Sequence, residues 1–366
     1  MTTDFDVVPI DQALAEARAA ARAFLERFTA SDRVVVFCHF DADGLAAGVI
    51  FGRSLGRLGL TNVAVVPSGR GESAFSDAAR RRLEALRPAG LIVTDLGVHR
   101  DGVLRGVPTL YVDHHRPEGA PEGATVVSGY AWEPIPASAW LAFELMAPLV
   151  DIDDLSWIAA VGILSDLGDG APWPRLPEVK KRYTAKWLKE AVALVNAARR
   201  SGAFDIATPL ELLMHAGGPK ELATDDARGA DKLRAYRAEV KAALAEASRA
   251  APVFAQGQPF ALLKVDSPVQ LHPLIAQRWR GRLPEYAVIA ANQGYLPGVV
   301  AFSVRTRRLD LKLPALLQAV DLGATYENFG HGHDGASGGH LPVGAFNRLL
   351  TALGFDDRAH VGADAT

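Results

Sequence analysis

Short apolar runs alternate with helix-period stretches through the first half of the chain. Residues 11–30 place Leu14, Phe24 and Leu25 on one helical face, which predicts an amphipathic helix. The β-branched and aromatic run 33–38 predicts a strand, followed by HFDADG and a helix over 45–58 that Gly59 ends. A strand at 62–66, a Gly-rich loop (67–73) and a basic helix (76–87) come next. LIVTD (91–95) and TLYVDHH (109–115) add two more strands. This alternation predicts a doubly wound parallel sheet, in which ligands bind beyond the carboxyl ends of the strands. Segments 137–149 and 154–165 read as helices, the second leading into Asp166 within GILSDLGDG. Segments 179–200 and 221–250 read as long charged helices.

From about Ala255 the period changes. PFALLKV, YAVIAAN and GVVAFSVRT predict strands, with helices near 271–280 and 313–320 and a Gly/His-rich run over 328–342. The expected organisation is an α/β domain over 1–200, a helical connector (201–254), a smaller α/β domain (255–350) and a loose tail (351–366).

Composition narrows the classes. The 366 residues are 49% hydrophobic and 22% charged, enough to bury real cores. A single cysteine, Cys38, excludes an internal disulfide framework and fits a reducing compartment. No signal peptide or membrane span is read, so the expectation is a cytoplasmic protein. The net charge of −3 argues against a protein that coats long nucleic acid. The second domain, with nine Lys/Arg against six Asp/Glu between 255 and 350, is locally basic at +3. The sequence holds no internal repeat, CxxC cluster, P-loop or GxGxxG after a strand, and SGRGES is in the wrong register for GxSxG.

The chemistry collects at strand ends. His39, Asp41 and Asp43 follow the first strand, Asp95 ends a second, Asp113, His114 and His115 end a third, and Asp166 follows an apolar helix. Each has a plain structural reading by itself. Asp41 and Asp43 suit a helix N-cap, Asp95 a turn, and a His-His pair a strand end. Taken together, carboxylates this close repel unless a cation compensates them. Four carboxylates and two imidazoles suit two divalent ions. Oxygen ligands with a few imidazoles favour Mn2+, with Mg2+ the alternative, over a thiolate-type zinc site. Arg305 reads either as a sheet-edge charge or as a fork for phosphate oxygens. His99, His215, His272 and His360 read as non-catalytic.

HFDADG, TDLG, DHH and ILSDLGD, in that order, resemble the four motifs of the DHH phosphoesterase superfamily, and FSVRT with GHGHDGASGG resembles its DHHA1 domain. The resemblance spans roughly residues 30–345. It implies a metal-dependent phosphodiesterase with its site in the cleft between the two domains. By the family's pattern His39, Asp41 and Asp95 hold one Mn2+, and Asp43, Asp95, His114 and Asp166 the other, with Asp95 bridging. Asp113 then orients a histidine, and His115 faces the scissile phosphate. Arg305 and His333 match phosphate-binding positions, and His331 is a further substrate contact. The backbone N–H groups of Gly335, Ala336, Ser337, Gly338 and Gly339 are expected to cradle phosphate oxygens. For assembly the resemblance implies at most a homodimer.

Two departures from the family's pattern bear on substrate. The compact His39-Phe40-Asp41 spacing looks more like the RecJ-like exonuclease branch, and His331 interrupts the glycines of the C-terminal motif. With no third domain or OB-like strand set read, the preferred expectation is hydrolysis of cyclic dinucleotides, such as cyclic di-AMP, and short linear oligonucleotides to 5′-phosphorylated products. A RecJ-like single-strand 5′→3′ exonuclease is the alternative. A nucleotide-binding regulator with a silent site is the third.

Overall fold

The structure, a computed structural model, describes residues 6–326 and 329–362. In chain order the first part runs β1 (Val8–Pro9), α1 (Ile10–Leu25), β2 (Val34–Cys38), α2 (Ala42–Arg57), β3 (Val63–Pro67), α3 (Asp77–Glu84), β4 (Gly90–Thr94), β5 (Thr109–Asp113), β6 (Thr125–Ser128) and β7 (Trp132–Glu133). Helices α4 (Ser138–Met146), α5 (Ser156–Asp166), α6 (Leu176–Tyr183), α7 (Ala185–Arg200), α8 (Ala207–His215), α9 (Pro219–Thr224) and α10 (Ala230–Ala247) follow. The rest is β8 (Val253–Phe254), β9 (Phe260–Val265), α11 (His272–Arg282), β10 (Ala287–Asn292), β11 (Val299–Arg305), α12 (Leu313–Gln318), β12 (Phe329–His333), β13 (Ala336–Pro342) and α13 (Val343–Ala352).

The chain divides into two compact units. One holds the residues up to Arg199 with Asp205–Arg234, and the other holds Arg200–Phe204 with the residues from Ala235 on. The segment 201–254 is therefore not a separate connector. Met214 of α8 packs near Gly52 of α2, and Arg53 donates to the carbonyls of Leu213 and Ala216, which ties α8 to the first unit. Val240, Ala243, Leu244 and Ala247 of α10 pack into a core of the second unit.

In the first unit the five-stranded sheet has the order β3-β2-β4-β5-β6, every pair parallel. Strands β2, β4 and β5 are buried at every position, which is why they read as unbroken apolar runs. Each fully buried Val, Ile or Phe contributes about 1.5–3 kcal/mol, so these strands anchor the core of the first unit. Helices α1, α2 and α4 pack on one face, with α5 against α2 and α4, and α3 with Val98, Val103 and Leu104 covers the other. Helix α2 lies close to the sheet because Gly44, Gly48 and Gly52 form a stripe. A Cβ there would come within 2.5 Å of the His39 carbonyl, 2.7 Å of Cys38 Sγ or 2.6 Å of Val65 Cγ2. The strand order reverses between β2 and β4, the switch point at which doubly wound sheets bind ligands.

The second unit carries a six-stranded mixed sheet, β12-β13-β11-β10-β9-β8, with β9–β10 parallel and its other pairs antiparallel. One face packs on α12 and α13, the other on α10 and α11. The expected loose tail packs as well. Phe355, Ala359 and Val361 are buried in the core beneath α13, because a polar-looking stretch supplies an apolar residue at each point where it meets the sheet. Among the described residues no helix is long and apolar enough to cross a membrane.

Candidate metal centre

Backbone geometry at three strand ends gathers the polar residues. Helix α2 begins at Ala42, three residues before its expected start, so Asp41 is its N-cap and Asp43 sits in its first turn. Asp41 Oδ1 accepts from the Asp43 and Gly44 N–H groups at 3.2 and 3.1 Å. Its other oxygen, Oδ2, lies 3.1 Å from His39 Nδ1. The capping reading and the ligand reading of Asp41 are thus compatible, one on each oxygen.

Asp95 follows β4 with φ 63°, a left-handed conformation that costs a non-glycine residue about 1–3 kcal/mol. Its two oxygens face different partners. Oδ2 lies 3.6 Å from His39 Nδ1, and Oδ1 lies 3.4 Å from His114 Nε2 and 3.9 Å from His115 Nδ1. His114 Nε2 is also 3.4 Å from Asp166 Oδ2.

Asp113, buried at the end of β5, accepts from the Gly97 and His115 N–H groups, both at 2.7 Å, and lies 2.8 Å from His115 Nδ1. It therefore orients His115, the half-exposed ring of the pair, and joins the TDLG and DHH segments.

Asp166 is the last residue of α5 rather than a loop residue beyond it. A carboxylate there opposes the helix macrodipole, a cost that a cation offsets.

Three groups emerge that could each hold a metal ion: His39, Asp41 and Asp95; Asp43, His114 and Asp166; and Asp95, His114 and His115. Within each group the candidate ligand atoms lie within 4.8 Å of one another. Atoms bound about 2.1 Å from one ion stand about 3.0–3.4 Å apart at octahedral or tetrahedral angles. The contacts of 3.4–3.6 Å are longer than ordinary hydrogen bonds and have the spacing of atoms around a shared ion. His114 Nε2 carries the same message: it is buried and has no hydrogen-bond partner among the described residues. The residues fit a divalent pair.

The electrostatics are those of crowded acids. Burial alone would lower the His39 and His114 pKa values, but the neighbouring carboxylates outweigh it and push both up to about 10. Burial, with the charges of Asp95 and Asp166, holds Asp43 well above the carboxylate range. Burial, with Asp95 and Asp41, pushes Asp166 up to about 6. Burial opposes ionisation of Asp41, yet the His39 charge and hydrogen bond and the Arg199 charge hold it well below its ordinary value.

Two contributions escape a reading of the sequence. Ser138 and Ala139, at the start of α4, donate their backbone N–H groups to Asp43 at 2.8 and 2.9 Å. Arg199 Cζ stands 5.9 Å from the Phe40 ring, and Arg199 Nε donates to buried Asn196, which in turn donates to Ser165 beside Asp166. Main-chain donors leave no residue-type signal. Arg199 stands far in sequence from every motif.

In the second unit Arg305 ends β11, and its Nη1 donates to the carbonyls of Val304 and Ser337. Burial and the charge of Arg280 lower its pKa. The expected phosphate cradle of backbone N–H groups is corrected here. Ala336, Ser337, Gly338 and Gly339 belong to β13, paired with β11 on one side and β12 on the other, so the two ladders take up their backbone polar groups. Only Gly335 lies in a turn, with Asp334. The glycines serve close approach, since a Cβ on Gly338 would stand 2.4 Å from the Phe302 carbonyl. His331 and His333 have their backbone in β12, and their side chains lie outside the described residues.

The doubly wound first sheet and mixed second sheet form a fold shared with solved RecJ and DHH-domain structures. Solved structures with this fold include an exonuclease RecJ bound to manganese, with TM-score 0.69 and 22% identity over 99% of this chain and 97% of that one. RecJ from Thermus thermophilus in complex with Mn2+ has TM-score 0.65 and 21% identity over 97% of this chain, which spans 56% of that protein. The DHH domain of a member of a family of ribosomal proteins has TM-score 0.65 and 15% identity over 96% of this chain and 94% of that one. No protein-family model and no curated protein sequence matches the chain.

Proposed function

We propose that the chain is a metal-dependent phosphodiesterase acting on short nucleotide substrates. One observation carries this reading: Asp95 divides its two oxygens between the His39 and His114 sides of the cluster, as a carboxylate bridging two ions would. Under this reading His39, Asp41 and Asp95 would hold one Mn2+ or Mg2+, and Asp43, Asp95, His114 and Asp166 would hold the other. When bound, such a pair supplies Lewis acidity and lowers the pKa of water toward neutrality. RecJ structures bound to Mn2+ and to Mg2+ support a divalent ion of either kind.

The remaining roles fall to this chain's own groups. His115, held through Nδ1 by Asp113, keeps Nε2 for a phosphate oxygen of the substrate. Arg305 binds a second phosphate through guanidinium N–H groups that its two carbonyl contacts leave over. The substrate class follows from a net charge of −3 overall with a locally basic second unit, which suits a few phosphates rather than a long strand. Cyclic dinucleotides and short linear oligonucleotides, cleaved to 5′-phosphorylated products, are the preferred substrates. A single-strand exonuclease is the second reading, favoured by the compact His39-Phe40-Asp41 spacing and the RecJ likeness.

Rates with Mn2+ on cyclic di-AMP, a linear dinucleotide and a 5′-phosphorylated single strand of about twenty nucleotides separate the readings. Faster turnover of the two small substrates is expected. Faster attack on the long strand would establish the exonuclease reading instead, and no turnover with ions bound would leave a silent binding protein.

A further inference from the structure

The first turn of α4 touches two of the cluster's carboxylates at once, through one residue. Ser138 is fully buried. Its backbone N–H donates to Asp43 Oδ2 at 2.8 Å, and its hydroxyl donates to Asp95 Oδ1 at 3.0 Å. The next N–H, of Ala139, donates to Asp43 Oδ1 at 2.9 Å. Asp43 therefore serves as an N-cap supplied from another element, since α4 has no side-chain cap of its own. Asp95 Oδ1 is the oxygen that faces His114, whereas Oδ2 faces His39.

We propose that Ser138 is the positioning residue of the Asp43–Asp95–His114–Asp166 site, fixing through its hydroxyl which oxygen of Asp95 serves that site. The inference rests on the two-ion reading above and adds a residue outside its ligand sets. Asp43 and Asp95 are like charges in a buried place, and without a fixed donor between them the Asp95 carboxylate is free to turn toward other donors. The Ser138 hydroxyl satisfies one lone pair of Oδ1 and leaves the other for an ion. Ser138 donates to Oδ1 and not to Oδ2, the oxygen on the His39 and Asp41 side, so the two sites depend on this residue unequally. Hydrogen-bonding partners of ligands typically carry a 10–100-fold share of metal affinity.

Ser138→Ala keeps the main-chain N–H to Asp43 and removes only the hydroxyl, so it isolates the Asp95 contact. Mn2+ titration of the full chain, read by electron paramagnetic resonance and calorimetry, should show two sites in the wild type. In Ser138→Ala one site should weaken about 10–100-fold and the other should hold its affinity. Ser138→Thr, which restores a hydroxyl, should recover most of the loss, and circular dichroism melting reports the fold of each variant. Unchanged affinities in Ser138→Ala, or equal weakening of both sites, would overturn the inference. So would a folded Ser138→Thr that binds no better than Ser138→Ala. Should Ser138→Ala not fold, the decision passes to Ser138→Thr, where two intact sites support the inference and loss of both overturns it. A wild type that binds no Mn2+, or only one ion, would instead refute the two-ion reading itself.

Discussion

His39 and His114 make the cluster's dependence on acidity explicit. Burial would favour their neutral forms, but Asp41, Asp95, Asp43 and Asp166 hold both pKa values up near about 10. In the ion-free protein at pH 7 both imidazoles therefore carry protons. Ligation requires the neutral ring, so an entering ion expels those protons. Mn2+ affinity therefore rises with pH and weakens as pH falls, because each imidazole proton must be displaced against a higher proton activity. Calorimetry at pH 7 in two buffers of different ionisation enthalpy should show net proton release as the centre fills. Binding with no proton release would contradict the assignment of His39 and His114 as ligands. At this scale the candidate ligands are legible in the sequence because acids and imidazoles at strand ends have few uses. The donors that hold Asp43 are not, because Ser138 and Ala139 reach it through main-chain N–H groups.

Among elements, α4 and α5 pack so closely beside Asp43 that glycine is required between them. A Cβ on Gly162 would stand 2.5 Å from Ala139 Cβ and 2.6 Å from Asp43 Oδ1. Gly162→Ala should cost about 1–3 kcal/mol of stability by overpacking and should weaken Mn2+ binding at the Asp43 site. Urea denaturation and Mn2+ titration check both, and unchanged values would mean the helices part easily. The strands β2, β4 and β5 are legible because burial on both faces writes continuous apolar runs. The sequence pattern places the start of α2 three residues late because its first turn, with Asp43 and Gly44, has the composition of a loop. Residues 179–200 read as one helix, whereas the chain breaks between α6 and α7 at Thr184, φ 62°, which no local residue type announces. The family resemblance implies a phosphate-cradling run where β12 and β13 lie, and glycine, depleted in strands, gives no strand signal against it. The dipeptide Asp334-Gly335 between them is the available hairpin signal.

For the whole molecule, charge and chemistry divide between the two units. The first gathers the acid–histidine cluster at the switch point of its sheet, and the second offers Arg305 on a locally basic unit. Arg305→Ala should raise KM roughly tenfold or more, the cost of losing hydrogen bonds to a charged group, with little change in kcat or in Mn2+ stoichiometry. A fall in kcat alone would mean that Arg305 acts only in the transition state.

The two-ion centre bridged by Asp95 underlies all of these expectations, and Mn2+ electron paramagnetic resonance probes it directly. Two ions about 3.5–4 Å apart should bind per chain and give the spectrum of an exchange-coupled pair. Asp95→Ala should abolish that coupling together with turnover. Two uncoupled ions, a single ion, or a coupled pair that persists in Asp95→Ala would contradict the bridge.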